Sequence, residues 1–306
     1  KILLNGISIL FKHTNFIIVV ALLILCQFTN ISLWAESKPK LVTSLHGIIE
    51  LALNINSKDP SINNYLPSED VTFLVKKNYF QIQTKLEQLA TAEEVRGHFQ
   101  KEVKKSKETF ELGDGVISQS DITKLKLGLS DTLSNIADLE YDLHIARLDL
   151  GKLINLELKS NSEIGKVDPF PVKFVYNNFE DFLRANNFFS KTKKQSTDIA
   201  IPSNRESVRL SEANKLIFYK AYIAVQASNA KMKIGKKNRK IARALLITEA
   251  SNYDFGIGNS EALFEALIIY TRVFSSYLDS VYTFNLAVAN LEKLNDSIYK
   301  SVDKLN

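Results

Sequence analysis

Four histidines (His13, His46, His98 and His144) and one cysteine (Cys26) are the side chains best suited to hold a metal or attack a carbonyl. Their spacing serves neither purpose. No two histidines stand at i and i+4, so no helical face offers the paired imidazoles of a zinc site. No Gly-x-Ser-x-Gly elbow and no complete glycine-rich phosphate loop occurs. Two Gly-x-Gly pairs, Gly113-Asp-Gly115 and Gly256-Ile-Gly258, follow helical patterns rather than a strand. A phosphate cradle needs the strand first, so these pairs read as bends. Acidic pairs such as Glu93-Glu94 sit on strongly helical stretches and read as solvated faces. We therefore expect no enzyme and no cofactor.

One charged group stands out. Lys231, Lys233, Lys236, Lys237, Arg239, Lys240 and Arg243 crowd into thirteen positions with no acid among them. Such a cluster is either a solvated helix face with snorkelling stems or a contact for an anionic surface such as lipid headgroups, lipopolysaccharide phosphates or an acidic partner.

The elements that carry these groups follow from composition and period. With 45% hydrophobic residues in 306 positions the chain can bury a sizeable core. Only 11 Gly and 6 Pro punctuate it, which favours long helices over many short strands. The first 35 residues hold Lys1 and Lys12 but no acid, then the apolar run Phe16 to Cys26, then Leu33-Trp34-Ala35. That order describes a secretory signal peptide with cleavage after Ala35 better than a membrane span, which needs about 20 apolar residues. The other reading is an uncleaved anchor, with the apolar segment extended through Gln27 to Ile31. Cleavage would remove the only Cys and Trp and leave a net charge of +3. The exported remainder would be held by packing alone, and nucleic acid is not an expected partner.

Residues 68–158 and 205–294 repeat one pattern. Tyr79-x-x-Ile82-Gln83 leads to Phe110-Glu-Leu-Gly113, and Tyr222-x-x-Val225-Gln226 leads to Tyr253-Asp-Phe-Gly256. After each bend an apolar series resumes: Ile122, Leu125, Leu129, Leu133, Ile136, Leu139, Leu143, Ala146, Leu150 and Leu153 in one copy. The other copy has Leu263, Leu267, Tyr270, Phe274, Tyr277, Val281, Phe284, Val288, Leu291 and Leu294. Both series take nine steps across 31 residues, a period close to the 3.5 of a coiled-coil seam. The ascending arm of the first copy carries a similar seam from Val71 to Val103. That of the second is less regular. The fold class expected is all-α: two long antiparallel coiled-coil helical hairpins with arms of about 60 Å, short flanking helices and little or no β-strand. The expected divisions are 1–35 signal peptide, 36–160 first hairpin repeat, 161–204 linker with a short helix, and 205–306 second hairpin repeat. Leu45 to Asp59 should form one short helix, ended before Pro60. Phe179 to Asn187 should form the other.

The duplicated order of short helix, long helix, aromatic-x-x-Gly bend and long helix resembles the TolC-like outer-membrane efflux protein family. The likeness rests on Ile48-Ile-Glu-Leu-Ala-Leu-Asn54 with Pro60, the two aromatic-x-x-Gly bends, Leu263-Phe-Glu-Ala266, and the run from Tyr282 to Leu294. It implies a homotrimer whose hairpins close a tunnel across the periplasm, associated with the outer membrane of a Gram-negative-type envelope. It also implies a membrane-fusion adaptor and an inner-membrane pump as partners, met by the bends at Phe110, Gly113, Gly115, Tyr253, Gly256 and Gly258. One departure stands against the pattern. Family members insert membrane strands, of about 9–11 residues each, between the short unit and the ascending helix. Here Ser57 to Pro67 and Ser190 to Arg205 show no alternation, which fits a barrel-less relative acting as a periplasmic scaffold or adaptor.

Overall fold

A 3.5-residue apolar period fixes a helix against one neighbour, and four such helices build the core of this chain. The computed structural model describes residues 44–58, 66–113, 117–159, 162, 164–186, 188–189, 208–209 and 212–303. The signal-peptide segment and Gly115 lie outside the described residues. The helices are α1 (Leu45–Lys58), α2 (Ser68–Glu111), α3 (Gln119–Ile154), α4 (Phe179–Ala185), α5 (Glu212–Asp254) and α6 (Ser260–Asp303). At 44 residues, α2 and α6 each run about 66 Å. One two-residue parallel pair, β1 (Phe188–Phe189) with β2 (Val208–Arg209), sets Phe188 opposite Val208.

α2 and α3 form one hairpin and α5 and α6 the other. α2 also lies along α6, so the helices follow the order α3, α2, α6, α5, each antiparallel to the next. The apolar seams do the work expected of them. Val71, Val75, Ile82, Val95 and Phe99 of α2 are buried, as are Leu125, Leu143 and Leu150 of α3 and Leu267, Val281 and Leu291 of α6. One position differs: Leu133 is 45% exposed, and its neighbour Thr132 is buried instead. Gly128, one residue before Leu129, also faces inward, because the rings of Phe99 and Phe264 fill the space where a larger side chain would sit.

α5 has a seam too, hidden in the sequence by its residue types. Phe218, Tyr222, Val225, Ser228, Met232, Ala242 and Tyr253 are buried along it. Gly235 packs against Tyr277, and Arg239 lies over the Phe274 ring at 4.4 Å. The joint between the hairpins adds polar contacts to the Phe99–Phe264 ring pair. Gln88, 4% exposed, donates to Ser275 Oγ and Asp279 Oδ1, each at 2.8 Å. Lys76 pairs with Glu292 at 2.6 Å, Lys293 with Asp70 at 2.5 Å, and Lys300 with Glu69 at 2.5 Å.

The short helices cap the ends opposite the bends. α1 buries Ile48 and Ala52 against Val71, Val75 and Ile154. α4 sets Phe179 and Phe182 among Tyr176, Phe218 and Tyr222. The linker between the hairpins crosses three helices in turn. Gln83 of α2 donates to Val167 O, Asn285 of α6 holds Phe170 O and Val172 N, and Gln226 of α5 donates to Tyr176 O. Gln83 and Gln226 are the repeat-equivalent glutamines, and each binds a linker carbonyl.

The contrast between two helical glycines yields a test. Gly97 is exposed and a methyl group there meets nothing within 4 Å, whereas at Gly128 it would sit 2.6 Å from the Phe264 ring. Gly97→Ala should raise stability by about 0.5–1 kcal/mol. Gly128→Ala should lower it by about 1–3 kcal/mol through overpacking. Denaturant unfolding followed by circular dichroism reads both.

Candidate functional site

The bends are built from glycine geometry and capping. Leu112 N–H donates to Glu108 O and Gly113 N–H to Phe110 O, and Gly113 takes φ +79°. Gly256 takes φ +73°, with its N–H on Tyr253 O, while Ile257 and Gly258 both donate to Asn252 O at 2.9 Å. A side chain at Gly258 would press on Asn252 within 2.9 Å, so this glycine is required by close approach and Gly256 by its left-handed backbone. Each descending helix then starts on a cap. Ser118 Oγ accepts from Asp121 N–H while Asp121 accepts from Ser118 N–H, and Asn259 Oδ1 accepts from Ala262 N–H.

The two repeat-equivalent aromatics have diverged. Phe110 is 45% exposed, whereas Tyr253 is 8% exposed and packs beneath its bend. Lys105 Nζ stands 4.3 Å from the Tyr253 ring. Burial holds the Tyr253 phenol protonated, and the Glu102 carboxylate adds to this against the opposing Ser106 hydroxyl, so its pKa is pushed up to about 12. The most exposed apolar side chains at the bends occupy the positions the motif leaves unspecified: Leu112 at 78%, Phe255 at 80% and Ile257 at 81%. Each lies within two residues of a bend glycine, and that adjacency is the signal that could have found them. Two ion pairs tie the bends together, Lys101 with Asp254 at 3.7 Å and Lys124 with Glu261 at 2.8 Å.

The basic cluster lies along α5, far from the bends in sequence. Lys231, Lys233, Lys236, Lys237, Lys240 and Arg243 are exposed, while Arg239 is turned inward onto Phe274 and Tyr277. Among the described residues the six exposed cations make no ion pair. No group of three or more His, Cys, Asp or Glu side chains that could hold a metal ion occurs among the described residues. No described helix is long and apolar enough to cross a membrane.

Solved structures share the arrangement. The outer-membrane channel OprN matches 82% of this chain and 70% of its own at a TM-score of 0.57 and 10% identity. CusC, whose structures concern folding and transmembrane channel formation, matches 83% of this chain and 74% of its own at a TM-score of 0.49 and 14% identity. VceC of Vibrio cholerae, an outer membrane protein, matches 82% and 74% at a TM-score of 0.49 and 8% identity. No protein-family model matches the sequence, and no curated protein does. At 10% identity the likeness to OprN is one of fold alone.

Tyr253 makes the bend sensitive to alkali. Its folded pKa lies above the ordinary phenol value, so the stability it confers is complete below pH 10 and is lost as pH rises from 10 through about 12. Between pH 9 and 11.5, Tyr253→Phe should lose less stability than the unaltered chain, as read from urea midpoints.

Proposed function

We propose that the chain is a component of an envelope-spanning efflux or export assembly, forming a periplasmic helical conduit by oligomerisation and acting without chemistry of its own. The observation that carries this is the arrangement of two hairpins in the order α3, α2, α6, α5, shared at a TM-score of 0.57 with the outer-membrane channel OprN. The exposed apolar bends support it, because Leu112, Phe255 and Ile257 leave large side chains in water unless a partner covers them. In this reading the repeats within 36–160 and 205–306, joined by 161–204, are the building units. Three copies close the tunnel, a membrane-fusion adaptor and an inner-membrane pump meet the bends at Phe110, Gly113, Tyr253, Gly256 and Gly258, and the assembly resides in the periplasm and outer membrane. A second reading is a barrel-less scaffold that binds other envelope proteins. It is favoured by the short stretch from Ser57 to Pro67, which cannot hold two membrane strands of about 9–11 residues each.

Light scattering on the full chain, with and without detergent, separates the two readings. The conduit requires a trimer, whereas a monomer or dimer indifferent to detergent supports the scaffold. Leu112→Glu combined with Ile257→Glu should leave the trimer intact and reduce capture of the adaptor at least tenfold in a pull-down.

A further inference from the structure

The two outer helices of the layer, α3 and α5, each turn a second seam away from their hairpin partner. On α5 the exposed positions Leu216, Ile223, Ala230, Ile234, Ile241 and Ala244 repeat the 3.5-residue spacing on the face opposite the buried one. On α3, Leu127, Tyr141, Ile145 and Leu148 do the same, at 60%, 66%, 37% and 54% exposure. An apolar stripe of coiled-coil period has the geometry to receive another helix.

Charge distinguishes the two stripes. Between Lys231 and Arg243 the α5 face is basic without a single acid. Between Leu127 and Asp149 the α3 stripe carries Asp131 and Asp138, with Asp149 at its edge, all exposed and none ion-paired among the described residues. Each face repels itself and attracts the other.

The two bands also stand at the same height in the layer. Asp142 of α3 bonds Lys85 of α2 at 2.8 Å. One turn along α2, Gln88 bonds Ser275 and Asp279 of α6. Against that stretch of α6 lie Gly235 and Arg239 of α5, on Tyr277 and Phe274. A line drawn straight across the four helices from the acidic band of α3 therefore ends in the basic band of α5.

We infer that the basic face of α5 docks the acidic face of α3 on a second copy of this chain, each copy offering one edge of each sign. The contact is head-to-tail, and it continues the alternation of helix directions already present in the layer. A rotation about an axis parallel to the helices keeps the two bands level. A two-fold pairing would set α3 on α3 or α5 on α5, acid against acid or base against base, and the charges disfavour it. This rests on the oligomeric conduit proposed above and names the surfaces that close it.

The test is charge exchange in the full chain. One variant carries Lys233→Glu, Lys237→Glu and Lys240→Glu, a second carries Asp131→Lys, Asp138→Lys and Asp149→Lys, and a third carries all six. Circular dichroism establishes that each is folded, and light scattering gives the mass between 50 and 500 mM salt. The expected result is an oligomer in the unaltered chain that weakens with salt, a loss of assembly of at least tenfold in each triple variant, and recovery in the six-fold exchange. A folded first variant that assembles like the unaltered chain overturns the inference. So does the same variant if it merely stops sedimenting with anionic phosphatidylglycerol vesicles, which assigns the lysines to a lipid surface. Failure of the six-fold exchange to recover overturns it as well. An unaltered chain that stays monomeric at every salt concentration removes the conduit itself, a result distinct from the other three.

Discussion

The contact between α2 and α6 is the constraint on which the remaining architecture depends. A long helix with one apolar seam completes a hairpin and stops there. α2 and α6 each carry a further set of contacts, the most extensive of those that turn two hairpins into one layer. Apolar contact is part of the joint, as where Phe99 meets Phe264, and polar contacts run along it: Gln88 against Ser275 and Asp279, with ion pairs spaced along the rest. Partly exposed ion pairs contribute little individually. A buried glutamine with two acceptors instead specifies register, because any axial slip leaves its amide unpaired in a dry environment. Apolar seams thus supply the adhesion within each hairpin, and hydrogen-bonding geometry sets how the hairpins align.

That division of labour explains what the sequence made legible. The three regular seams were readable because every position in them is Val, Leu, Ile, Ala or aromatic. The fourth, on α5, interrupts its apolar residues with Ser228, Gly235 and Arg239, and side-chain type alone does not show that all three face inward. On α3 the displacement from Leu133 to Thr132 has the same origin. The leucine is the more apolar neighbour, but helix phase places the threonine inward, where its hydroxyl bonds Gly128 O at 2.8 Å. The joint between the hairpins is set by Gln88 and ion pairs as well as by Phe99 on Phe264, and no apolar period marks it. At the bends the motif pointed to the glycines that shape the turn and passed over Leu112, Phe255 and Ile257, whose exposure is visible only once the turn is built.

The repeat also shows how duplicated elements diverge under different surroundings. Gln83 and Gln226 keep the same task, donating to the linker at Val167 and Tyr176. Phe110 and Tyr253 do not, since one faces water and the other fills the space beneath its bend. Among the four helices the inner pair gained polar contacts with each other, while the outer pair acquired opposite surface charge. Descent from one hairpin accounts for the shared framework, and position in the layer accounts for the differences.

The linker has a mechanical consequence. By binding α2, α6 and α5 in succession, and by sharing an aromatic cluster with α4, it clamps the hairpins together near the ends that carry the short helices. Toward the bends the hairpins are joined by side chains alone: Phe99 on Phe264, the buried Leu125, Leu263 and Tyr253, and two solvent-exposed ion pairs. The two ends of the layer are thus held by different means, a strap of backbone at one and side chains alone at the other.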